Sequence, residues 1–274
     1  RRMGKDPLPK CLIKIEGKTL LERAFDALRA SEVKEAVLVV GYKSEEIVAH
    51  AKTVSEGVHL HVIENPRYEE GAILSLWSAR DFLDRDCMIM DTDVLYASES
   101  LRQLVQSKYA NALLVDAQAV ETGEEQVVYG EQGRAYYIAK FAPQAIREKY
   151  QPFGESIGFL KLDAAAAAKL KGHLQKHVDA GDVGIEHEQV YPDLFEEAEV
   201  GMEKVAPWPW IEIDTPEDLS RARGVIMANW PDLRCFNRWL SELFLPGILQ
   251  LPLHANHWDC SRLIAWPDWF TLDG

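Results

Sequence analysis

The chain has 274 residues, 47% hydrophobic and 27% charged, an ordinary composition for a folded protein with a full core. A formal net charge of −14 argues against nucleic acid or an anionic membrane as the main partner. The four cysteines (Cys11, Cys87, Cys235, Cys260) lie far apart without CxxC or Cys/His spacing, which disfavours a zinc or disulfide framework and points to a reducing cytoplasm.

The opening departs from that balance. Residues 1–18 hold six basic side chains (Arg1, Arg2, Lys5, Lys10, Lys14, Lys18) against two acids (Asp6, Glu16), so everything after them carries −18. Arg2-Met3-Gly4 followed by Pro9-Lys10 forms a basic, glycine-containing loop running into an amphipathic helix. Concentrated cation on a loop, with anion elsewhere, suits a small polyphosphate ligand.

Along the chain, Leu20, Leu21, Ala24, Phe25 and Leu28 have helical spacing over 19–30, with Thr19 and Glu22 as a capping-box pattern. A β-rich run, Ala36 to Val40, ends at Gly41, and a short helix is expected near Glu45–Ala51. His59–Ile63 predicts a strand closed by Asn65-Pro66, Ile73–Leu83 a helix, and Cys87–Met90 an apolar strand. Strands alternating with short helices predict an α/β fold, a mostly parallel central sheet with helices on both faces. Ligands in such sheets sit beyond the carboxyl ends of the strands, so residues just after strands are the candidates.

Asp91-Thr92-Asp93 follows the apolar strand. Carboxylates two residues apart at a strand end suit Mg²⁺, although aspartates also serve in solvated turns and the same motif occurs in glycosyltransferases. Farther on, an alternating strand, Trp210 to Ile213, ends at Asp214, and Thr215-Pro216 opens a helix. Asp214 either caps that helix or supplies a metal held by Asp93 with a second carboxylate.

Between these, residues 112–162 predict strands broken by polar excursions; Tyr136–Phe141 alternates, leaving Lys140 facing ligand or solvent. Gly154 and Gly158 flank a turn and suggest close backbone approach. Ala164–Ala168 predicts helix, and Glu186-His187-Glu188 reads as a helix start with solvated charges rather than a metal cluster. From Asn229 the texture changes: the tail holds five of the eight tryptophans and breaks at four prolines, with a short amphipathic helix expected over Phe236–Leu245. It is either a packed C-terminal appendage or a membrane-surface or partner-docking segment.

These pieces, in this order, resemble the nucleotidyltransferase superfamily with a GT-A-like fold, and within it the phosphocholine and inositol-phosphate cytidylyltransferases. The resemblance covers about residues 1–228. It rests on Arg2-Met3-Gly4 with Pro9-Lys10-Cys11-Leu12, Gly17-Lys18-Thr19-Leu20-Leu21, Val39-Val40-Gly41-Tyr42, Asn65-Pro66, Asp93-Val94-Leu95-Tyr96, Gly154-Glu155 and Glu212-Ile213-Asp214. It implies transfer of CMP from CTP to a phosphorylated small alcohol (inositol phosphate, phosphocholine or a phosphonate), with Mg²⁺. By resemblance Lys10 and Arg2 are catalytic, and Arg2, Met3, Gly4 and Lys10 bind nucleotide. Asp93 and Asp214 hold metal with Asp91 assisting, and Lys140, Glu155, Trp208 and Trp210 contact the acceptor. Sugar-1-phosphate transfer with UTP or dTTP, a GT-A glycosyltransferase and a catalytically silent paralogue stay open.

The sequence departs from that family at its front, where an apolar strand and a glycine-rich loop are expected before Arg2. This reads as a truncated first strand, and the polypeptide as written is expected to be inactive or nearly so. Residues 234–256 faintly resemble the approach to the first membrane helix of CDP-alcohol phosphotransferases, so 229–274 reads as a remnant of, or linker to, such a domain. The transferase is then expected in the cytoplasm, at the inner face of the membrane if fused.

Overall fold

A computed structural model describes residues 8–117, 126–227, 230 and 262–266. A 3-10 turn, Lys10–Leu12, leads into a small hairpin of β1 (Lys14–Ile15) and β2 (Lys18–Thr19). Helix α1 (Leu20–Ala30) starts at Thr19, whose hydroxyl accepts the Glu22 N–H at 3.0 Å. Then come β3 (Glu35–Val40), α2 (Ser44–Val54), β4 (His59–Glu64), α3 (Ala72–Ser78), β5 (Cys87–Asp91) and β6 (Val94–Tyr96). Next are α4 (Ser98–Val105), β7 (Ala112–Asp116), β8 (Val127–Glu131), β9 (Arg134–Ala139), α5 (Gln144–Lys149), β10 (Gln151–Leu162) and α6 (Ala164–Ala180). The last described are α7 (Tyr191–Glu197), β11 (Val200–Lys204), β12 (Trp210–Glu212), α8 (Pro216–Arg221) and β13 (Arg262–Trp266).

Nine strands make the main sheet, in the order β4-β3-β13-β5-β10-β7-β11-β9-β8. The α/β class holds, with a mixed sheet. From β4 to β5 every neighbour is parallel, whereas β10 runs antiparallel to both β5 and β7. Hairpin geometry forces part of the antiparallel half. Gln132 and Gly133, both at positive φ, turn β8 straight back into β9, as a two-residue loop with left-handed residues requires.

The central strands β3, β5 and β7 are buried on both faces, and the strand period of two divides the core. Val37, Val39, Ile89, Leu113 and Leu160 face one layer with residues of α3, α6 and α7. Leu38, Val40, Met88, Met90 and Phe159 face the other, with residues of α1, α2 and α4. Those central strands thus read as nearly continuous apolar runs, the pattern of a doubly covered sheet.

The expected gap in the sheet is not there. β13, from the tail, lies parallel between β3 and β5, pairing Ile264 with both Val37 and Ile89. Ile264 is fully buried. A boundary at 228 therefore fails for residues 262–266, which belong to the main sheet. The expected helix at 236–245, most of the remaining tail and residues 1–7 lie outside the described residues. Cys11 and Cys87 are buried; Cys235 and Cys260 lie outside the described residues. Among the described residues, no helix is long and apolar enough to cross a membrane.

An Ile264→Ala change should lower unfolding free energy by about 2–4 kcal/mol, the cost of a truncated core aliphatic. Urea denaturation checks this, and a loss within error of zero would place β13 outside the sheet.

Candidate active site

Two carboxylates meet because of one small ladder. β6 and β12 pair antiparallel in the register Val94↔Glu212, Leu95↔Ile211 and Tyr96↔Trp210. The pairing continues one step past the strands, where the Ile213 N–H donates to the Asp93 carbonyl at 3.0 Å. Asp93 and Asp214 are therefore neighbours by backbone geometry. Asp214 is held from the other side by α8, whose capping box joins Thr215 and Asp218.

Lys10 reaches this pair from the front of the chain. Its 3-10 turn is anchored by buried Cys11 and Leu12. The ammonium donates to Asp93 Oδ2 at 2.8 Å and to Asp214 Oδ1 at 2.5 Å. Asp93 is almost fully buried and Lys10 nearly so, while Asp214 is about a third exposed. Burial by itself would lower the lysine's pKa, but Asp93, Asp214 and Glu212 outweigh it and hold the group well above its ordinary value. Lys10 is thus a permanent cation here. Asp93, Glu212 and Asp214 each bring a carboxylate oxygen within 4.8 Å of the others. Glu212, quoted in the sequence only as part of a motif, joins the set because it precedes Asp214 by two residues.

Asp91 belongs to a different group. It ends β5 and lies with His187 and Glu188 rather than with Asp93 and Asp214. His187 and Glu188 are 1% and 7% exposed, so the expectation of solvated charges there is wrong. Packing against Tyr191, whose ring meets the His187 ring edge-on, buries what looks locally like a polar turn. Burial, with Glu188 and Asp93 nearby, raises the Asp91 carboxyl's pKa well above its ordinary value. Burial and Glu186 push Glu188 to about 8, and burial takes His187 down to about 3.

Lys140 donates to Glu186 Oε1 at 2.9 Å, while the Gln126 amide donates to the other Glu186 oxygen. Burial would lower Lys140's pKa too, but Glu186, helped by Glu212 and Glu188, raises it. Lys140 therefore stands beside both carboxylate groups. Glu155 and Trp210 converge on Asp116: Glu155 is its register partner across β10 and β7, and the Trp210 indole donates to its carboxylate at 2.8 Å. Trp208 is half-buried in the turn before β12, its N–H donating to the Val205 carbonyl. Arg2, Met3 and Gly4 lie outside the described residues.

Residues 154–158 lie inside β10 rather than in the expected turn, yet both glycines do mark close approach. A Cβ on Gly154 would sit 2.2 Å from the Asp116 carbonyl oxygen. One on Gly158, at φ +78°, would sit 2.2 Å from Asp91 Oδ2.

A family model described as the MobA-like NTP transferase domain matches residues 1–155. A "Bifunctional IPC transferase and DIPP synthase" of Rubrobacter xylanophilus is 29% identical over 90% of this chain and 56% of its own length. Its namesake in Aquifex aeolicus is 27% identical over 82% of this chain and 48% of its own. The chain thus spans about half the length of the curated relatives it matches. Among solved structures, an inositol-1-phosphate CTP transferase from T. maritima superposes with a TM-score of 0.64 at 18% identity, over 84% of this chain and 92% of that one. At that identity the likeness is one of fold.

Lys10→Met should destabilise the ligand-free protein by about 3 kcal/mol, because it leaves Asp93 buried without its cation. The Lys10→Met/Asp93→Asn double variant should recover most of that loss in denaturant unfolding. Additive losses would show that the pair is not coupled.

Proposed function

The chain belongs to the family of MobA-like NTP transferase domains, and from that premise we propose that it transfers CMP from CTP to a phosphorylated small alcohol, releasing pyrophosphate. The observation that carries this reading is the Lys10 ammonium set between Asp93 and Asp214, brought together from three separated stretches. In the reaction an acceptor phosphate oxygen attacks the α-phosphorus, the bond from that phosphorus to the bridging oxygen breaks, and the electron pair leaves with pyrophosphate. Such transfers ask the protein mainly to position reactants and neutralise charge.

The residues fit Mg²⁺. Asp93, Glu212 and Asp214 are hard oxygen donors within one ion's reach of each other, and an ammonium already fills the cationic place between two of them. Bound there, the ion would act as Lewis acid and template for the phosphates. Lys10, displaced from the carboxylates, would then turn its charge toward the α-phosphoryl group. Arg2, Met3 and Gly4 would hold the nucleotide phosphates, as the family resemblance implies. Asp91 is left to its own group with His187 and Glu188.

Lys140 and Glu155 would contact the acceptor, with Trp208 and Trp210 as its aromatic wall. Lys140's position next to Glu186 and Glu188, and the link from Trp210 through Asp116 to Glu155, support one acceptor side. Inositol phosphate is the first acceptor to test, given the relatives named above. CTP and phosphorylated alcohols are metabolites of the cytoplasm, where the reaction would run.

Pyrophosphate release from the full-length protein, measured across CTP, UTP and dTTP with inositol phosphate, phosphocholine and sugar 1-phosphates, tests this. The expected best pair is CTP with inositol phosphate, and Asp93→Asn or Lys10→Ala should lower kcat/KM by about 10²–10³. Preference for UTP or dTTP with a sugar 1-phosphate, or full activity in Lys10→Ala, would overturn the assignment.

A further inference from the structure

Partly buried Asp91 and buried His187 and Glu188 form a cluster that the transfer reaction above does not use. Asp91 comes from the end of β5; His187 and Glu188 come from a 3-10 turn (His187–Val190) far along the chain. One carboxylate oxygen from each acid and one imidazole nitrogen lie within 4.8 Å of one another. Donors around a single ion at bond lengths near 2.0–2.2 Å span about that distance. The His187 Nδ1 is 3.2 Å from Glu188 Oε2.

Two further observations point to a missing cation rather than a closed hydrogen-bond network. Asp91 Oδ1 has no solvent exposure and no hydrogen-bond partner. An unpaired buried carboxylate is costly, so an oxygen left in that state calls for a positive partner. Among the described residues, Lys10 bonds to Asp93 and Asp214, and Lys140 to Glu186. Gly158 gives the second observation. Its missing side chain is what leaves room for the Asp91 carboxylate, since any Cβ would overlap Oδ2. The fold gives up a side chain in the middle of β10 to keep that carboxylate in place.

The donor types select the ion. A nitrogen with two oxygens suits the borderline first-row cations and zinc, whereas Mg²⁺ takes oxygen and water. We propose that Asp91, His187 and Glu188 make a second divalent-cation site, of the Mn²⁺ or Zn²⁺ class, separate from the Asp93–Glu212–Asp214 group. An ion there would tie the end of β5 to the turn that carries Glu186, and so hold Asp93 and Lys140 at a fixed separation. The site stands whether or not the transferase reading does.

Mn²⁺ titration of chelator-treated protein, with free Mn²⁺ counted by electron paramagnetic resonance, tests it. The wild type should bind two ions per chain, and Zn²⁺ should displace one of them preferentially. His187→Gln and Glu188→Gln should each weaken one ion at least tenfold and leave the other, while Asp214→Asn should do the reverse. Circular dichroism checks that the variants fold. Pulsed resonance on the two-ion wild type needs no variant: a ¹⁴N coupling from imidazole is expected, because the other group has only oxygen donors. Mn²⁺ binding indifferent to both His187→Gln and Glu188→Gln, or no nitrogen coupling, would each overturn the proposal, whereas loss of the other ion alone would count against the Asp93–Glu212–Asp214 group.

Discussion

A three-residue antiparallel ladder, Val94–Tyr96 against Trp210–Glu212, lets the side chains of Asp93 and Asp214, far apart in the chain, share one cation. Without the last bond of that ladder, from Ile213 N–H to the Asp93 carbonyl, the two aspartates would have no fixed relation. Each strand end is secured differently. Asp93 follows β5 in the middle of the main sheet, and Asp214 is pinned by the capping box of α8. Backbone pairing thus supplies the precision, and the side chains only have to follow.

Charge explains the rest of the site. Asp91, Asp93, Glu186, Glu188, Glu212 and Asp214 converge on a region where the described cations are Lys10 and Lys140. Coulomb repulsion between partly buried acids at such separations is worth several kcal/mol, enough to shift protonation or to demand counter-ions. Lys10 offsets one group, which leaves Asp93 and Asp214 paired in the ligand-free protein. In the Asp91 group burial outweighs the pull of Lys10 and Lys140, and its carboxyls respond with raised pKa values. A site of this kind is built to receive cations and what they carry, and the net negative surface keeps long polyanions away.

Much of this was legible in the amino-acid sequence because local rules set it. Thr19 before α1, Thr215-Pro216 before α8 and the apolar run into Asp91 all follow from caps and periodicity, and the structure keeps them within a few residues. Gly154 and Gly158 were readable as close-approach positions for the same reason. The misreadings have a common cause in tertiary packing. Glu186-His187-Glu188 is polar by composition, and the packing of the turn that follows Glu186 against α3, α6, α7 and β9 buries His187 and Glu188. β13 is five residues in a proline-broken tail, too short for periodicity to separate from a loop, and its place between β3 and β5 is decided by pairing alone. Partition of Asp91 from Asp93 was equally hidden, since alternate residues at a strand end point to opposite sides and sequence does not say what waits on each.

The central claim is that Lys10, Asp93 and Asp214 serve one magnesium-bound triphosphate. A crystal structure of the full-length protein with CTP and Mg²⁺ tests it most directly. The expected result is a metal ion held by Asp93 and Asp214, with the Lys10 ammonium moved off them and onto an α- or β-phosphate oxygen. Triphosphate bound in another cavity, with Lys10 still bridging the two aspartates, would contradict it.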